Sequence, residues 1–189
     1  MDERDIHHRK RQFESTTSRL KRSRISKKNK ESILKFKDEC LSKGLSIDRA
    51  LFYMNRLIKL AQWLKKDFRK ASVDDIKNLV RKIEQNERYK GWTKEGYKVT
   101  IKNFYRWLEG NGEEYPEKVR WIKTTLSKSS NKLPSDLLSK EDIEKMVKAA
   151  DHIRDKALIM VLYESGCRVG ELLNIKICLL YTSDAADEG

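Results

Sequence analysis

Residues 46–64 read SIDRALFYMNRLIKLAQWL and carry a clear helical pattern. Their apolar side chains recur at intervals of three and four residues, which places them on one face of an amphipathic helix. These side chains are Leu51, Met54, Leu57, Ile58, Ala61 and Leu64. Ser46 precedes the pattern, and its hydroxyl can accept a hydrogen bond from a free amide of the first turn. We therefore predict a helix that Ser46 caps.

Three more segments between residues 28 and 128 show the same spacing. Gly44 can close the first of them, Ser72 begins a capping-box variant that opens the second, and the third starts at Thr93. Their apolar positions are Ile33, Leu34, Phe36, Cys40 and Leu41; Ile76, Leu79, Val80 and Ile83; and Tyr97, Ile101, Phe104, Tyr105 and Leu108. Four amphipathic helices with short links predict a compact all-α bundle over residues 28–128.

Segments of different character flank the bundle. Residues 1–27 have few apolar side chains and two clusters of basic ones, so we predict a flexible basic arm. Residues 129–139 are mostly small and polar, contain Pro134 and are predicted to form a linker. Beyond it, Ser139 can cap a short helix that reaches Ala150, an apolar helix follows over residues 157–163, and Gly166 ends that helix.

The positive charge is concentrated in the front of the chain. The 189 residues hold 42 Lys and Arg against 29 Asp and Glu, a formal net charge of +13. Residues 1–130 carry 34 basic and 18 acidic side chains, whereas residues 131–177 carry eight of each. A basic N-terminal part joined to a neutral C-terminal part indicates a polyanion-binding module attached to a second segment. A generally basic helical protein is the open alternative.

Composition and length exclude several classes of protein. A chain of this length is too short for a large multi-domain enzyme, and without a run of about 18 apolar residues it offers no membrane span. The N-terminus lacks the apolar core of a signal peptide, which argues against secretion. Cys40, Cys167 and Cys178 show neither CxxC nor Cys/His spacing, so we expect no disulfide framework and no metal site. We expect a cytoplasmic protein.

The fourth predicted helix carries basic side chains four residues apart. They lie roughly opposite the apolar face, with one more lysine just upstream: Lys94, Lys98, Lys102 and Arg106, preceded by Lys90. Like charges at this spacing repel each other slightly, so a polyanion that neutralises them would stabilise the helix. This favours contact with a phosphate backbone. A solvated, lysine-rich face is the open alternative.

Other candidates for nucleic-acid contact are less regular. Thr100 and Asn103 lie near the basic stripe and could reach base edges, although nothing in the sequence shows that they do. The helix that Ser46 caps, with the residues just after it, offers a looser basic set: Arg49, Arg56, Lys59 and Lys66. Four tryptophans could stack on bases, although core or rim packing is the interpretation that we favour for them. These are Trp63, Trp92, Trp107 and Trp121.

A more specific motif lies at residues 162–175, LYESGCRVGELLNI. Here an apolar helix breaks at Gly166 and presents Arg168 at the start of the next helix. Free backbone amides and the helix dipole beside a guanidinium make a good position for an anion. Arg168 is therefore either a phosphate ligand or an ion-pair partner for Glu171, three residues on.

This stretch resembles the first catalytic-arginine motif of the tyrosine recombinase (phage integrase) family, T-G-x-R-x-x-E-L-L-x-L. Ser165 stands in place of the Thr and Ile175 in place of the last Leu. Residues 154–158, RDKAL, are similar to the R-[DN]-x-A-L sequence that precedes the motif in that family. The four-helix region is similar to the family's SAM-like core-binding domain. The resemblance covers residues 28–177, and in sequence it is closest to the archaeal members of the family.

The resemblance implies a two-domain enzyme that closes around double-stranded DNA, recombines or integrates DNA at specific sites, and assembles as a synaptic oligomer. In this family a tyrosine attacks the scissile phosphate and forms a 3′-phosphotyrosine. Two arginines, a lysine and His or Trp side chains stabilise the transferring phosphate. Because the covalent link stores the bond energy, the resemblance implies no cofactor. Arg168 matches the first of these arginines, and residues 140–177 match the first helices of the family's α+β catalytic domain.

The last residues, 178–189, depart abruptly from the family pattern. Their sequence, CLLYTSDAADEG, resembles the translation of a sequencing-library adaptor. We therefore expect a truncated fragment with a non-native tail, in which the later catalytic motifs have no counterpart. Tyr181 is not expected to be the nucleophile.

These features together predict an all-α, DNA-binding fragment of a tyrosine recombinase that binds duplex DNA without cutting it. The alternative is a natural non-catalytic protein that competes at recombination sites, and a basic RNA-binding protein whose arginine motif matches by chance is a third. The candidate site residues are Arg168 for catalysis and Lys90, Lys94, Lys98, Lys102, Arg106, Arg56 and Lys59 for DNA contact.

Overall fold

The computed structural model describes residues 8–110, 114–125 and 137–175, of which 74% are helical. This part of the chain contains no β-strand, so the predicted all-α class is confirmed. It divides into two compact units, one within residues 8–125 and the other within residues 137–175. The predicted tail at 178–189 and most of the predicted linker at 129–139 lie outside the described residues.

The helices of the first unit follow one another with short connections. They are α1 (Arg9–Arg22), α2 (Lys27–Ser42), α3 (Ile47–Leu64), α4 (Val73–Glu84), α5 (Gly91–Glu109) and α6 (Glu117–Arg120), with a 3-10 turn at Phe68–Lys70. The four helices predicted over residues 28–128 are confirmed as α2 to α5. Helix α5 begins at Gly91, slightly before the predicted start at Thr93.

The serine caps predicted at Ser46 and Ser72 set the starts of α3 and α4. The Ser46 hydroxyl accepts a hydrogen bond from the Arg49 amide at 3.3 Å, at the start of α3. At the start of α4, the Ser72 hydroxyl accepts from the Asp75 amide at 3.2 Å, and the Asp75 carboxylate accepts from the Ser72 amide at 2.9 Å. This reciprocal pair is a capping box. The predicted caps at Ser46 and Ser72 are therefore confirmed.

Helix α3 is the centre of the first unit, because α1, α2, α4 and α5 all pack against it. Nine of its 18 residues are buried. The core continues into an aromatic cluster in which the Phe104 ring lies 5.4 Å from the Phe36 ring and 4.7 Å from the Phe68 ring, between centroids. The Tyr105 hydroxyl donates to the Phe68 carbonyl at 2.9 Å. These contacts join α5 to α2 and to the turn after α3.

The prediction of a flexible arm over residues 1–27 is wrong for Arg9–Arg22, which form α1. Leu20 is fully buried in the core and Thr16 is 8% exposed. At the start of the helix, Arg9 forms an ion pair with Asp48 of α3 at 2.9 Å. The apolar positions of this segment are too few among the charges to show a period. The helix is stabilised by tertiary packing on α3.

The second unit contains α7 (Lys140–Ala149), α8 (Ile153–Ser165) and α9 (Val169–Leu173). Ser139 and Asp142 form a capping box at the start of α7, as predicted. Gly166, with a φ of 60°, ends α8, also as predicted. Among the hydrophobic residues described in this unit, Ile143 alone is buried, and several apolar side chains of α8 are exposed: Ile153, Leu158, Met160, Val161 and Tyr163.

Replacement of Leu20 by alanine tests the docking of α1 on α3. A Leu→Ala change at a fully buried site removes packing and leaves a cavity, so we expect the free energy of unfolding to fall by about 2–5 kcal/mol. Leu45→Ala is the matched control, because Leu45 is 40% exposed and its truncation is expected to cost less than about 1 kcal/mol. Chemical denaturation followed by circular dichroism measures both. Equal and small costs would show that α1 is undocked in solution.

The Asp75 carboxylate makes the stability of the first unit depend on pH. Hydrogen bonds from Lys66 above all, and then from the Ser72 amide and hydroxyl, lower the pKa of Asp75 from 3.8 to about 2. A carboxyl group whose pKa is lower in the folded state stabilises that state above the pKa of the unfolded chain. This stabilisation is lost as the pH falls from about 4 to about 2.

We therefore expect Asp75→Asn to lower the Tm at neutral pH, with a deficit that shrinks as the pH falls through that window. The matched control is Asp74→Asn in the same turn, where the side chain is 87% exposed, and it is expected to change the Tm little at any pH. Thermal melts across the pH range measure the effect. A deficit for Asp75→Asn that stays constant down to pH about 2 would contradict the role given to this carboxylate.

Candidate nucleic-acid interface

Basic and aromatic side chains alternate along the partly exposed side of α3. They recur at intervals of three and four residues and so share one side of the helix, here called the α3 face: Arg49, Phe52, Arg56, Lys59 and Trp63. The Arg49 guanidinium lies 5.0 Å from the centre of the Phe52 ring, and the Lys59 ammonium lies 5.7 Å from that of Trp63. Arg49 and Lys59 are both exposed, so each can also meet a ligand from solvent.

Arg56 is less exposed than the other two cations of the α3 face. The centre of its guanidinium lies 3.5 Å from that of the Phe52 ring and 5.5 Å from that of Tyr97 in α5. Nη1 donates to the Phe52 carbonyl at 3.1 Å, and Nε is buried without a hydrogen-bond partner among the described residues. Burial lowers the pKa of Arg56 from its usual value, although a guanidinium stays charged in proteins. The ring contacts therefore hold a cation in one orientation.

Gly96 of α5 makes room for this guanidinium. A Cβ atom at position 96 would lie 2.8 Å from Nη2 and 2.9 Å from Nε of Arg56, and 3.1 Å from the Phe52 ring. Any other residue there would displace Arg56. Sequence reasoning missed this contact, because nothing near Gly96 in the sequence points to Arg56. The available signal was an interior glycine, which weakens a helix by about 1 kcal/mol relative to alanine and so indicates a packing reason.

An aromatic cluster borders the α3 face at Trp63. The Tyr89 and Tyr97 rings stack with centroids 5.4 Å apart and planes at 20°, and the Trp63 ring lies 5.7 Å from that of Tyr97. Lys82 of α4 lies 5.2 Å from the centre of the Trp63 ring. The cluster therefore adds a fourth cation, Lys82, at the edge of the face.

The basic stripe predicted on α5 is divided between two sets of contacts. Near the start of the helix, Lys98 pairs with Glu84 at 3.0 Å and with Glu95 at 3.7 Å, and its side chain is only 16% exposed. Lys94 donates a hydrogen bond to the Glu84 carbonyl at the end of α4. Both lysines therefore stabilise the junction of α4 and α5.

The other half of the stripe lies around Tyr115. The Lys102 ammonium is 4.4 Å from the centre of that ring and donates to the Ile122 carbonyl at 3.1 Å. The Arg106 guanidinium lies 5.1 Å from the same ring. Lys90, just before α5, is exposed. Helical spacing indicated which residues share a side of α5, but not that α4 and residues 115–122 lie against that side.

Two polar residues near the stripe form hydrogen bonds within the unit. Thr100 is fully buried, and its hydroxyl donates to the Gly96 carbonyl at 2.7 Å. The prediction that Thr100 reaches a base edge is therefore wrong. Asn103 is partly buried and donates to the Tyr53 hydroxyl at 3.0 Å, which joins α5 to α3.

The four tryptophans differ in exposure. Trp63 and Trp107 are partly buried and pack against the core, as we favoured. Trp92 and Trp121 are 66% and 40% exposed. Trp92 lies in the first turn of α5, two residues after the exposed Lys90.

Arg168 lies at the N-cap position of α9 in the second unit. Its Nη1 is 3.3 Å from Oε1 of Glu171, and its backbone N–H donates to Oε2 of the same carboxylate at 2.7 Å. The ion pair that the spacing allowed is therefore formed. The Arg168 side chain is still 89% exposed, so most of its surface is open to a further ligand.

Two further observations concern candidate metal ligands and the Cys40 thiol in the part of the chain that the structure describes. That part holds no group of three or more His, Cys, Asp or Glu residues placed to bind a metal ion. Burial raises the pKa of the Cys40 thiol to about 11, which keeps it protonated and unreactive at neutral pH. Within the same residues, no helix is both long enough and apolar enough to cross a bilayer.

Curated proteins similar to this chain are named tyrosine recombinases. XerD of Proteus mirabilis is 29% identical over 148 residues, which make up 72% of this chain and 45% of that protein. XerD of Vibrio cholerae is 28% identical over 150 residues, 70% of this chain and 45% of that protein. XerA of Pyrococcus horikoshii is 43% identical over 49 residues, 24% of this chain and 17% of that protein. No family model and no solved structure matches the chain.

These similarities support the tyrosine recombinase family. The matched region spans less than half of each of these three relatives. Because 148 residues far exceed the length of the second unit, the match to XerD of Proteus mirabilis includes much of the first unit as well. The similarity therefore includes part of the helical bundle that carries the α3 face.

Proposed function

We propose that this chain is the N-terminal part of a site-specific tyrosine recombinase of archaeal type, and that its first unit binds duplex DNA as the core-binding domain. The observation that carries the proposal is the α3 face, where Arg49, Arg56 and Lys59 alternate with aromatic rings. The similarity to XerD proteins supports it, because it includes much of this unit. The short match to XerA of Pyrococcus horikoshii supports the archaeal assignment.

The spacing of these cations suits a polymer of phosphates. A helix rises about 1.5 Å per residue, so Arg49 and Lys59 lie about 15 Å apart along the axis of α3. One strand of duplex DNA carries a charge about every 3.4 Å of its axis, and this span therefore faces several phosphates. Bound cations release counterions from DNA, so binding is expected to weaken steeply as salt rises.

Among the cations of the α3 face, Arg56 is the one from which we expect the largest contribution to binding. The Phe52 ring and the space at Gly96 fix its guanidinium before DNA arrives, so little side-chain entropy is lost on binding. Lys90 is exposed and is proposed as a further phosphate contact. Lys94, Lys98, Lys102 and Arg106 contact Glu84 or Tyr115, and we give them a weaker, longer-range electrostatic role.

For the second unit, we propose that Arg168 is the first catalytic arginine of the complete recombinase. An arginine fork matches the oxygens of a phosphate and stabilises the charge that develops in phosphoryl transfer. The exposed guanidinium of Arg168 is consistent with this role. Because the motif around Arg168 is the only catalytic motif of the family that these 189 residues match, we propose that they bind DNA without cleaving it.

Removal of the Arg56 charge tests the proposed interface. We expect Arg56→Ala to weaken binding to a generic duplex about tenfold, and to reduce the slope of log affinity against log salt by about one, because one phosphate contact is lost. Gly96→Ala keeps the charge but displaces the guanidinium, so it is also expected to weaken binding. Affinity is measured by fluorescence anisotropy between about 50 and 200 mM salt.

Lys77→Ala is the matched control for this experiment. Lys77 is an exposed lysine of α4 that pairs with Asp74 at 3.7 Å, and its loss lowers the net charge by the same amount. Its affinity and salt slope are expected to equal those of the unmodified chain. Thermal melts of all variants separate loss of binding from loss of folding. If Arg56→Ala and Lys77→Ala bind DNA equally, the α3 face is not the interface.

The catalytic proposal is tested at the level of the gene. We expect the locus, resequenced from the codon of Ser139 to well past that of Ile177, to continue in frame through an H-x-x-R motif to a late tyrosine. The longer product is expected to cleave a DNA site, and Arg168→Ala to slow cleavage at least about a hundredfold while DNA binding is kept. Lys145→Ala, at an exposed position of α7, is the control and should cleave normally.

Two results would overturn this part of the proposal. One is strand cleavage by the 189-residue chain alone. The other is a genome that encodes the residues 178–189 and then a stop codon, which would favour a natural, non-catalytic DNA-binding competitor.

A further inference from the structure

A groove runs between α1 and the second half of α3, outside the α3 face. It has a volume of about 590 Å³ and is lined by Ser15, Ser18, Arg19, Arg22, Ser23 and Gln62, here called the α1–α3 groove. Five of these six residues are exposed and Ser23 is partly exposed, so the groove is open along its length. Its lining combines two guanidinium groups with three hydroxyls and one amide.

The two arginines of this groove are carried by a fixed helix. The Leu20 side chain, next to Arg19, is fully buried in the core. The Arg9–Asp48 ion pair ties the start of α1 to the start of α3, and Arg19 donates a hydrogen bond through Nη2 to Oδ1 of Asn55 in α3. Three separate contacts along α1 therefore set its position against α3, and with it the positions of Arg19 and Arg22.

The positive charges of Arg19 and Arg22 have no carboxylate partner among the described residues. None of the residues that line the groove is acidic, and among the described residues no carboxylate forms an ion pair with Arg19 or Arg22. Like charges three residues apart on a helix repel each other weakly. Hydroxyl, amide and guanidinium groups together are the donors that proteins use to bind phosphate oxygens.

The groove also borders the proposed DNA-binding surface. Asn55, Lys59 and Gln62 are spaced by four and three residues, so they form one exposed stripe along α3. Asn55 contacts Arg19, Gln62 lines the groove, and Lys59 between them belongs to the α3 face. A polyanion lying on the α3 face therefore meets the mouth of the groove without any change in the fold.

We infer that the α1–α3 groove binds backbone phosphates of the same duplex that lies on the α3 face. This inference rests on the proposed function and extends it. Helix α1 adds Arg19 and Arg22 to the interface, and the Ser15 and Ser18 hydroxyls with the Gln62 amide supply further hydrogen bonds to a phosphodiester. The Ser23 hydroxyl already donates to the Leu20 carbonyl at 2.6 Å. The phosphate contact carries no sequence information, since phosphates are the same at every base pair.

The test is a double variant that removes both charges of the groove and keeps α1 helical. We expect Arg19→Gln with Arg22→Gln to weaken binding to a generic duplex at least about tenfold and to reduce the salt slope by about two. The charge-matched control is Lys77→Gln with Arg81→Gln on α4, which is expected to leave both unchanged. A second variant, Ser18→Glu, places a carboxylate in the groove and should weaken binding, whereas Ser42→Glu at the exposed end of α2 should not.

A titration with inorganic phosphate distinguishes a backbone site from a site for free phosphate. We expect the Ser18 and Arg22 amide resonances to shift with duplex DNA and not with inorganic phosphate at the same phosphate concentration. Shifts of equal size with inorganic phosphate would overturn the assignment to the backbone.

The same series separates failure of this inference from failure of the proposed function. If Arg56→Ala weakens DNA binding while the Arg19 and Arg22 variant behaves like its α4 control, the groove is not part of the interface and the proposed function stands. If the unmodified chain shows no salt-dependent affinity for duplex DNA, both are wrong. Circular dichroism melts confirm that each variant is folded before its affinity is compared.

Discussion

The first unit depends on the burial of α3. Half of the residues of this helix are buried, which is more than a single apolar stripe, so it needs cover from several sides. Helices α1, α2, α4 and α5 provide that cover, and the polar residues of α3 are left between α1 and α5. Asn55 contacts α1 and Arg56 contacts α5. The helix that organises the core is therefore also the helix that presents the basic surface.

This shared role explains the chemistry of the surface. Side chains at the edge of a core are often aromatic, because a large ring can bury one side and expose the other. Here Phe52, Trp63 and Tyr97 occupy that edge, and the cations between them lie on ring faces. Such contacts are worth about 0.5–2 kcal/mol each and hold the long side chains in place. A basic surface that is ordered in this way loses less entropy when a polyanion binds.

The helices and caps that depend on neighbouring residues were predicted from the sequence. The contacts between residues far apart in the sequence were not. Apolar spacing identified α2 to α5, and the caps at Ser46, Ser72 and Ser139 are formed as predicted. Helix α1 was missed because its stability comes from Leu20 packing on a helix that begins much later in the chain. The fixed position of Arg56 was missed because it depends on Gly96 in α5. The residues of the basic stripe lie on one side of α5, as their spacing predicted. That spacing could not show that Glu84 forms an ion pair with Lys98, or that the Tyr115 ring contacts Lys102.

The second unit presents the opposite case, because few of its apolar side chains are buried within the described residues. Helix α8 is apolar on several sides, yet Leu158, Val161 and Tyr163 are each at least 36% exposed. A helix of this kind is stable only when other elements cover it. Arg168 follows α8 by three residues and, among the described residues, its side chain pairs with Glu171 while 89% of it stays exposed. An arginine that stabilises a transition state must be fixed by a supporting shell. Because α8 and Arg168 are joined by a tight turn at Gly166, an element that covered α8 would also restrict the Arg168 side chain. For the catalytic role proposed above, we therefore expect that cover of α8 and ordering of Arg168 occur together.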